Sequence, residues 1–378
     1  MFHIEIEATN ECNTRCLHCP HESITRPYGK MEWRTFQTVM DKAFAFNVND
    51  VSVEFAGMGE PLLNPNIYRF IEYISDRTPI SLTTNASALT PQNTARLIDA
   101  GLDRLTISFN GTDQATYELM MGGLSFERAA GYLRTAVEMS KGKRMKVAAN
   151  ISVSKQTQTH LPEIRQYLQG VGVDTIFFSK CHNRGTYLND SRICTTPLPP
   201  VNDSRCDIFE NTLFVAWNGD VLSCCHDLSG ENKIANLLTD ELAPIMQKKQ
   251  AIITQGVDFP ICQGCNDMYR YMNASTPDGS PLSEWIYSLY ASEDERTQKL
   301  VSRINDLTTQ SAQQAETIQS LKLQLDERDQ RIEEMTSARS SHWAERMRAL
   351  RFRLAPSQSQ RERIFLSVWQ RVMGKKTV

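Results

Sequence analysis

Phe2-His3-Ile4-Glu5-Ile6-Glu7-Ala8-Thr9-Asn10-Glu11-Cys12-Asn13-Thr14-Arg15-Cys16-Leu17-His18-Cys19-Pro20 is the stretch on which the fold turns. Its first half alternates apolar and polar residues, the two-residue period of a half-buried strand. Its second half sets three cysteines within eight residues, at C-x3-C-x2-C spacing. A closed structural metal site takes four ligands. An iron–sulfur cube held by three cysteines leaves one iron open to a ligand that is not protein. The plain alternative is a zinc knuckle that borrows His18 or His21 as its fourth ligand.

Outward from this stretch, short β-branched runs alternate with helical patterns. Strands are expected at His3–Ala8, Asp50–Phe55, Ile80–Thr84, Arg104–Phe109, Met145–Val153 and Thr175–Lys180. Helices are expected at Trp33–Phe46, Tyr68–Asp76, Pro91–Ala100, Phe126–Lys141 and His160–Gly170. About six β/α units predict an α/β fold with a parallel sheet, too few strands for a complete eight-stranded barrel. In parallel barrels chemistry gathers at the C-terminal strand ends, and the polar motifs fall there. The second strand runs into Gly57-Met58-Gly59-Glu60-Pro61, where glycine lets backbone approach a ligand closely. The third ends in Thr84-Asn85 and the fourth in Ser108-Phe109-Asn110-Gly111. The fifth carries Asn150 and Ser152, and the sixth leads into Lys180-Cys181-His182-Asn183-Arg184-Gly185.

The chain has 378 residues, 40% of them hydrophobic, enough for one large domain and additional elements. A net charge of −3 gives no global attraction to nucleic acid. No stretch reads as a signal peptide or a membrane span. Ten cysteines without a secretion signal read as metal ligands before disulfides, so a reducing cytoplasm is the expected setting.

The triplet with its strand, the GMGEP turn and the strand-end polar residues together resemble the radical S-adenosylmethionine (radical SAM) superfamily. The resemblance covers residues 1 to about 270. It implies a partial (β/α)6 TIM-like barrel over residues 1–190. It also implies a [4Fe–4S] cluster on Cys12, Cys16 and Cys19, whose open iron chelates SAM and drives its cleavage to a 5′-deoxyadenosyl radical. Gly57, Met58, Gly59, Glu60, Thr84, Asn85, Ser108 and Asn150 match the family's SAM-contacting places. Three positions depart from the pattern: His18 stands where an aromatic residue is usual, Asn110 where an aspartate is, and Met121 near a common arginine.

A second cysteine group follows, over residues 200–272: Cys206, Cys224, Cys225, Cys262 and Cys265. A hairpin signal lies inside it, Thr212–Trp217, Asn218-Gly219-Asp220, Val221–Cys225. The group resembles the SPASM/twitch auxiliary domains. It implies a second [4Fe–4S] cluster on Cys206, Cys224, Cys262 and Cys265, with Cys225 the alternative to Cys224 and a four-thiolate zinc site the alternative metal. Residues 273–292 read as a linker with a short helix. Over 293–340, Leu300, Ile304, Leu307, Ile318, Leu321, Leu325, Ile332 and Met335 keep one heptad seam, interrupted by Ser311, Gln314 and Arg328. This predicts a coiled coil or a long solvated helix. Residues 341–378 form a basic amphipathic tail suited to its own chain, a partner or an anionic membrane surface.

The expected function is radical abstraction of hydrogen from a small polar metabolite such as a sugar, with net oxidation or rearrangement. Glu54, Lys180 and His182 are the candidate catalytic groups. Modification of peptide or protein side chains is the first alternative. A degenerate assembly protein working through the coiled coil is the second, resting on Asn110 and Met121. The chemistry implies an electron donor such as flavodoxin or ferredoxin, and the coiled coil a homo-oligomer or protein partner.

Overall fold

The computed structural model describes residues 2–46, 51–188, 193, 206–267 and 282–291, and scattered residues between 310 and 367. The chain divides into two compact units, Met1–Gln310 and Ser311–Val378.

The first unit is organised by one nine-stranded sheet. Strands β1 (Phe2–Ile6), β2 (Val51–Phe55), β3 (Ile80–Thr84), β4 (Arg104–Ser108), β5 (Lys146–Val153) and β6 (Thr175–Lys180) run parallel in sequence order. The expected strands hold with small shifts at their ends. The helices between them are α1 (Trp33–Ala45), α2 (Ile67–Ile74), α3 (Pro91–Asp99), α4 (Gln114–Met120), α5 (Phe126–Ser140) and α6 (Leu161–Val171). α4 was not expected from its pattern. Asp113 caps it by accepting from the Thr116 amide, and Tyr117 and Met120 bury its inner face.

Strand alternation sorts the side chains. Ile4 and Ile6, Val53 and Phe55, Leu105 and Ile107, and Val147, Ala149 and Ile151 are buried outward beneath the helices. Phe36 of α1 stacks on Phe70 of α2 at 4.2 Å between ring centroids, sealing that layer. The alternate positions, including His3, Glu5, Glu54, Thr83, Thr106, Asn150 and Ser152, face the hollow of the curved sheet. One sheet therefore has an oily face and a polar face.

The sheet does not stop at β1. After a short helix α7 (Asp207–Asn211), strand β7 (Thr212–Val215) pairs parallel to β1. β8 (Asp220–Leu222) and β9 (Lys233–Asn236) then continue it as an antiparallel meander, with α8 (Leu242–Gln255) behind. The hairpin expected at Asn218-Gly219 is present, with Gly219 at φ +83°. At the opposite edge, α9 (Leu282–Ala291) covers β6: Ser283 Oγ accepts from the Phe178 amide at 2.7 Å, and Tyr287 packs on Phe178 at 4.7 Å. An exposed strand edge is thereby closed.

The described residues of the second unit are helical. Ile318, Leu321 and Leu325, on the expected heptad seam, are 54%, 54% and 62% exposed. Leu300, Ile304, Leu307, Ile332 and Met335 lie outside the described residues, as do Cys194 and most of the loop and linker segments.

Candidate active site

The three cysteines sit on the loop that leaves β1, held largely by backbone contacts. The Arg15 amide donates to the Gly122 carbonyl at 3.3 Å and the Leu17 amide to the Met120 carbonyl at 3.0 Å. The unexpected helix α4 therefore ends as a clamp on this loop. Gly122 is at φ +38°, and a Cβ there would lie 1.9 Å from the Arg15 carbonyl oxygen. The Cys19 amide donates to the Cys16 carbonyl at 3.0 Å, and the Thr14 hydroxyl lies 3.0 Å from Cys16 Sγ. Asn85 directs its amide nitrogen toward Cys12 Sγ at 3.8 Å. Burial raises all three thiols, Cys16 to about 12. They ionise only against compensating positive charge, which a metal supplies. Beside Cys16, the buried Tyr117 hydroxyl has no hydrogen-bond partner.

The GMGEP turn is pinned to the same loop. Glu7 is fully buried and grips Arg26 through two hydrogen bonds of 2.6 and 2.5 Å. The same carboxylate takes the Met58 amide at 3.4 Å. Gly59 is required by close approach, since a Cβ there would fall 2.1 Å from the Thr9 carbonyl oxygen. Glu60 turns inward, 1% exposed, and accepts from the Leu62 amide at 3.0 Å, the Thr84 hydroxyl at 2.7 Å and the Asn85 amide at 2.7 Å. Its carboxylate is thus occupied in tying β3 to the turn, and Thr84 is spent on it. Burial raises the Glu60 pKa against those hydrogen bonds. Ser108 and Asn150 stand in register on β4 and β5.

Below this rim, the polar face of the sheet encloses a cavity of about 580 Å³. Glu54, Lys180 and His182 all border it, although they come from β2, the end of β6 and the loop beyond. Glu54 accepts from Thr83 at 2.9 Å and lies 3.5 Å from His3 Nε2. Burial pushes Glu54 up, but the His3 contact, the Thr83 hydroxyl and the Arg104 charge bring it below the usual carboxylate range. Its register partner on β1 is Glu5. Burial, then Glu54 and Glu7, push Glu5 up to about 8. Two adjacent carboxyls are therefore driven apart, one held protonated near neutral pH and one ionised.

The auxiliary end closes the top of the cavity. Cys224 interacts electrostatically with Cys206, Cys262 and Cys265, whereas Cys225 faces Glu5, Arg184 and Asp267. Cys206, Cys224, Cys262 and Cys265 thus lie within electrostatic reach of one another, as a shared ligand set requires, and Cys225 borders the cavity. Arg184, at φ +50°, borders the same space. Burial works against its charge, and Cys19, Cys225 and Asp267 more than offset that. The auxiliary end also supports the first loop: the Leu228 carbonyl accepts from the Thr25 and Arg26 amides, and Leu228 packs with Ile24 and Met58.

The donor sets fit the expected clusters. Of the histidines in the zinc-knuckle alternative, His21 Nε2 is engaged with the Asn10 carbonyl at 2.8 Å, and His18 lines the cavity. Three thiols on one loop fit a cluster that keeps an open position.

Comparison with known proteins gives the same assignment. Residues 6–168 match the Radical SAM superfamily, and residues 206–266 match SPASM, an iron–sulfur cluster-binding domain. The chain belongs to the radical SAM superfamily. Within it, the chain is an iron–sulfur enzyme with a SPASM-type auxiliary domain, and its cofactors are a [4Fe–4S] cluster, SAM and auxiliary iron–sulfur. It is 23% identical over 315 residues to a tungsten-containing aldehyde ferredoxin oxidoreductase cofactor-modifying protein of Pyrococcus furiosus, covering 70% of this chain and 87% of that one. Its fold is similar to BtrN in complex with AdoMet and 2-DOIA, with a TM-score of 0.52, 19% identity and coverage of 72% and 96%. It is also similar to Streptococcus suis SuiB bound to precursor peptide SuiA, with a TM-score of 0.56, 15% identity and coverage of 70% and 69%.

Sequence reading missed Glu5, Arg104, His226 and Asp267. Glu5 had a signal, since it alternates with the buried Ile4 and Ile6 and must face the hollow. His226 and Asp267 each follow a cluster cysteine by two residues, and nothing local marks them.

Proposed function

We propose that the enzyme oxidises a small, hydroxyl-rich metabolite of sugar-like size and polarity, removing a hydrogen atom and a proton from one carbon–oxygen unit. The observation that carries this reading is the cavity itself: about 580 Å³, within the range of small-ligand sites, and walled by carboxyls, hydroxyls, amides and imidazoles. The N-terminal cluster with SAM supplies hydrogen-atom abstraction, and the auxiliary centre supplies an electron acceptor.

The chain's own residues bind, orient and take the proton. Thr83, Thr106, Asn150 and Ser152 offer paired donors and acceptors from four positions on three strands. Glu5, protonated near neutral pH, donates to a substrate oxygen, and ionised Glu54 accepts. Lys180 borders the wall and complements an electron-rich substrate oxygen. His182 borders the same wall, 3.4 Å from Asp267. BtrN with 2-DOIA and SuiB with its precursor peptide share this fold, and the cavity's lining favours a small-molecule substrate over a peptide.

The test is anaerobic turnover of the reconstituted full chain with SAM and reductant against polyols, amino sugars and short peptides. Expected is 5′-deoxyadenosine formed above background with a hydroxylated small molecule. The product should be two mass units lighter, and deuterium should pass from substrate carbon to 5′-deoxyadenosine. Stimulation by peptides alone overturns the reading.

A further inference from the structure

We infer that His182, His226 and Asp267 form a site for a single divalent metal ion, of the zinc or iron(II) class, separate from both cysteine sets and open to the substrate cavity. The three residues come from two separate parts of the chain. His182 follows β6, while His226 and Asp267 lie on the auxiliary loops. Their donor atoms nevertheless all lie within 4.8 Å of one another. Asp267 Oδ2 is 2.8 Å from His226 Nε2 and 3.4 Å from His182 Nε2. Around a tetrahedral ion with bonds of about 2.0–2.1 Å, neighbouring donors stand about 3.3 Å apart. The observed spacings bracket that value.

The donor chemistry points the same way. Two imidazoles and one carboxylate are the three-ligand set that suits zinc or iron(II) and leaves a position open for a substrate oxygen. All three side chains are at most 11% exposed, so a bound ion would be shielded from bulk water. The rings of His182 and His226 are 4.8 Å apart and tilted by 55°, so they do not stack flat. Ligation through His182 Nε2 puts the ring proton on Nδ1, so the 3.3 Å contact that Nδ1 accepts from the Arg184 backbone amide must open when an ion binds. Arg184 is the opposing charge in this corner.

The ion's role toward substrate rests on the reading above: it would bind an oxygen of the hydroxylated substrate and fix which carbon faces the barrel rim. The site itself does not depend on that reading, so the test uses metal without substrate. Full-length protein loaded with both clusters is equilibrated with zinc, separated from free ion, and assayed for zinc, iron and sulfide. X-ray absorption at the zinc edge then reads the ligands. Expected is one zinc per chain with a nitrogen/oxygen shell at about 2.0 Å and no sulfur. His182→Asn and Asp267→Asn should each weaken zinc binding at least tenfold with iron and sulfide unchanged. A sulfur shell, no retained zinc, or equal binding in both variants overturns the proposal and leaves a hydrogen-bonded His–Asp–His group. Should Asp267→Asn also lose iron, His182→Asn decides, because His182 lies on another loop, away from the cluster cysteines.

Discussion

The rim that carries the first cysteine set and the cavity beneath it are built in opposite ways. The rim is held by backbone and by buried polar side chains that are largely engaged with one another. Glu60 takes three hydrogen bonds, Asn64 spans the Ala8 and Met31 carbonyls, and Glu7 is locked to Arg26. The cavity wall is assembled from alternate residues of six strands, whose groups bond mostly sideways to one another, as Ser179 does to Asn150 at 2.8 Å. A ligand-bearing loop needs fixed position, and a substrate wall needs available donors and acceptors. Substitutions in the first should therefore cost stability and cluster, and substitutions in the second should cost turnover.

The largest expected break lies in the rim. Arg26→Met leaves the fully buried Glu7 charge without its partner, and loss of one member of a buried pair costs about 3–5 kcal/mol. Chemical denaturation of the cluster-loaded chain measures it. Thr83→Val, in the cavity, removes a single hydrogen bond to Glu54 and is expected to cost about 1 kcal/mol while abolishing much of the turnover. Equal stability losses would erase the contrast.

Gly59→Ala comes next. Its new Cβ meets the Thr9 and Glu11 carbonyls at 2.1 and 2.7 Å, both backbone atoms that cannot swing aside. Overpacking of this kind costs about 1–3 kcal/mol and here displaces the turn against the cysteine loop. Iron analysis should show loss of about four irons, the content of one cube, with the auxiliary iron retained. Gly131→Ala is the control: it lies in α5 with nothing within 4 Å, and should stabilise by about 0.5–1 kcal/mol.

This contrast also explains what was legible in the sequence. The rim's parts are contiguous: three cysteines in eight residues and a five-residue glycine turn, each with a local reason to exist. The parallel strands were equally legible, because β1 to β6 are short β-branched or aromatic runs set between helical patterns. The cavity was only half legible. Glu54 and Lys180 stand at strand ends, while Glu5 lies inside β1, marked only by its alternation with the buried Ile4 and Ile6. His226 and Asp267 were not legible at all. They meet His182 only because β7 pairs with β1 and brings the auxiliary loops over the barrel mouth, a tertiary fact with no local trace. Which of Cys224 and Cys225 neighbours the other auxiliary cysteines is likewise a tertiary fact.

Glu5 gives the cavity a measurable pH signature. Its folded pKa, about 8, lies above the ordinary carboxylate value of 4.5. Between those values the folded state holds a proton that the unfolded state has lost. Its contribution to stability is therefore complete below about pH 4.5, and falls as pH rises to about 8, by at most about 1.4 kcal/mol per unit. Glu5→Gln keeps the shape and removes that slope. Unfolding measured at pH 5.5, 6.5 and 7.5 should show the variant gaining on the wild type at each step. Parallel curves would mean that Glu5 is ionised in the folded protein and is not a proton donor.

One buried contact bears on whether the two departures from the family pattern signal decay. The Asn110 amide nitrogen donates to Met121 Sδ at 3.1 Å, and its oxygen accepts from the Ser152 amide at 2.6 Å. The two departures are thus one buried contact. At positions that touch, the family's aspartate and arginine would stand within reach of an ion pair, and here a neutral pair replaces it while still holding β5. Two losses by drift would leave a hole or an unpaired charge. Asn110→Asp alone should destabilise by about 1–3 kcal/mol, because it buries a carboxylate against a thioether. Adding Met121→Arg should recover about 1 kcal/mol or more, a coupling typical of residues in contact. A double variant no better than the sum of its singles would show that the pocket has been reshaped around the neutral pair, and that the replacement is structural and settled.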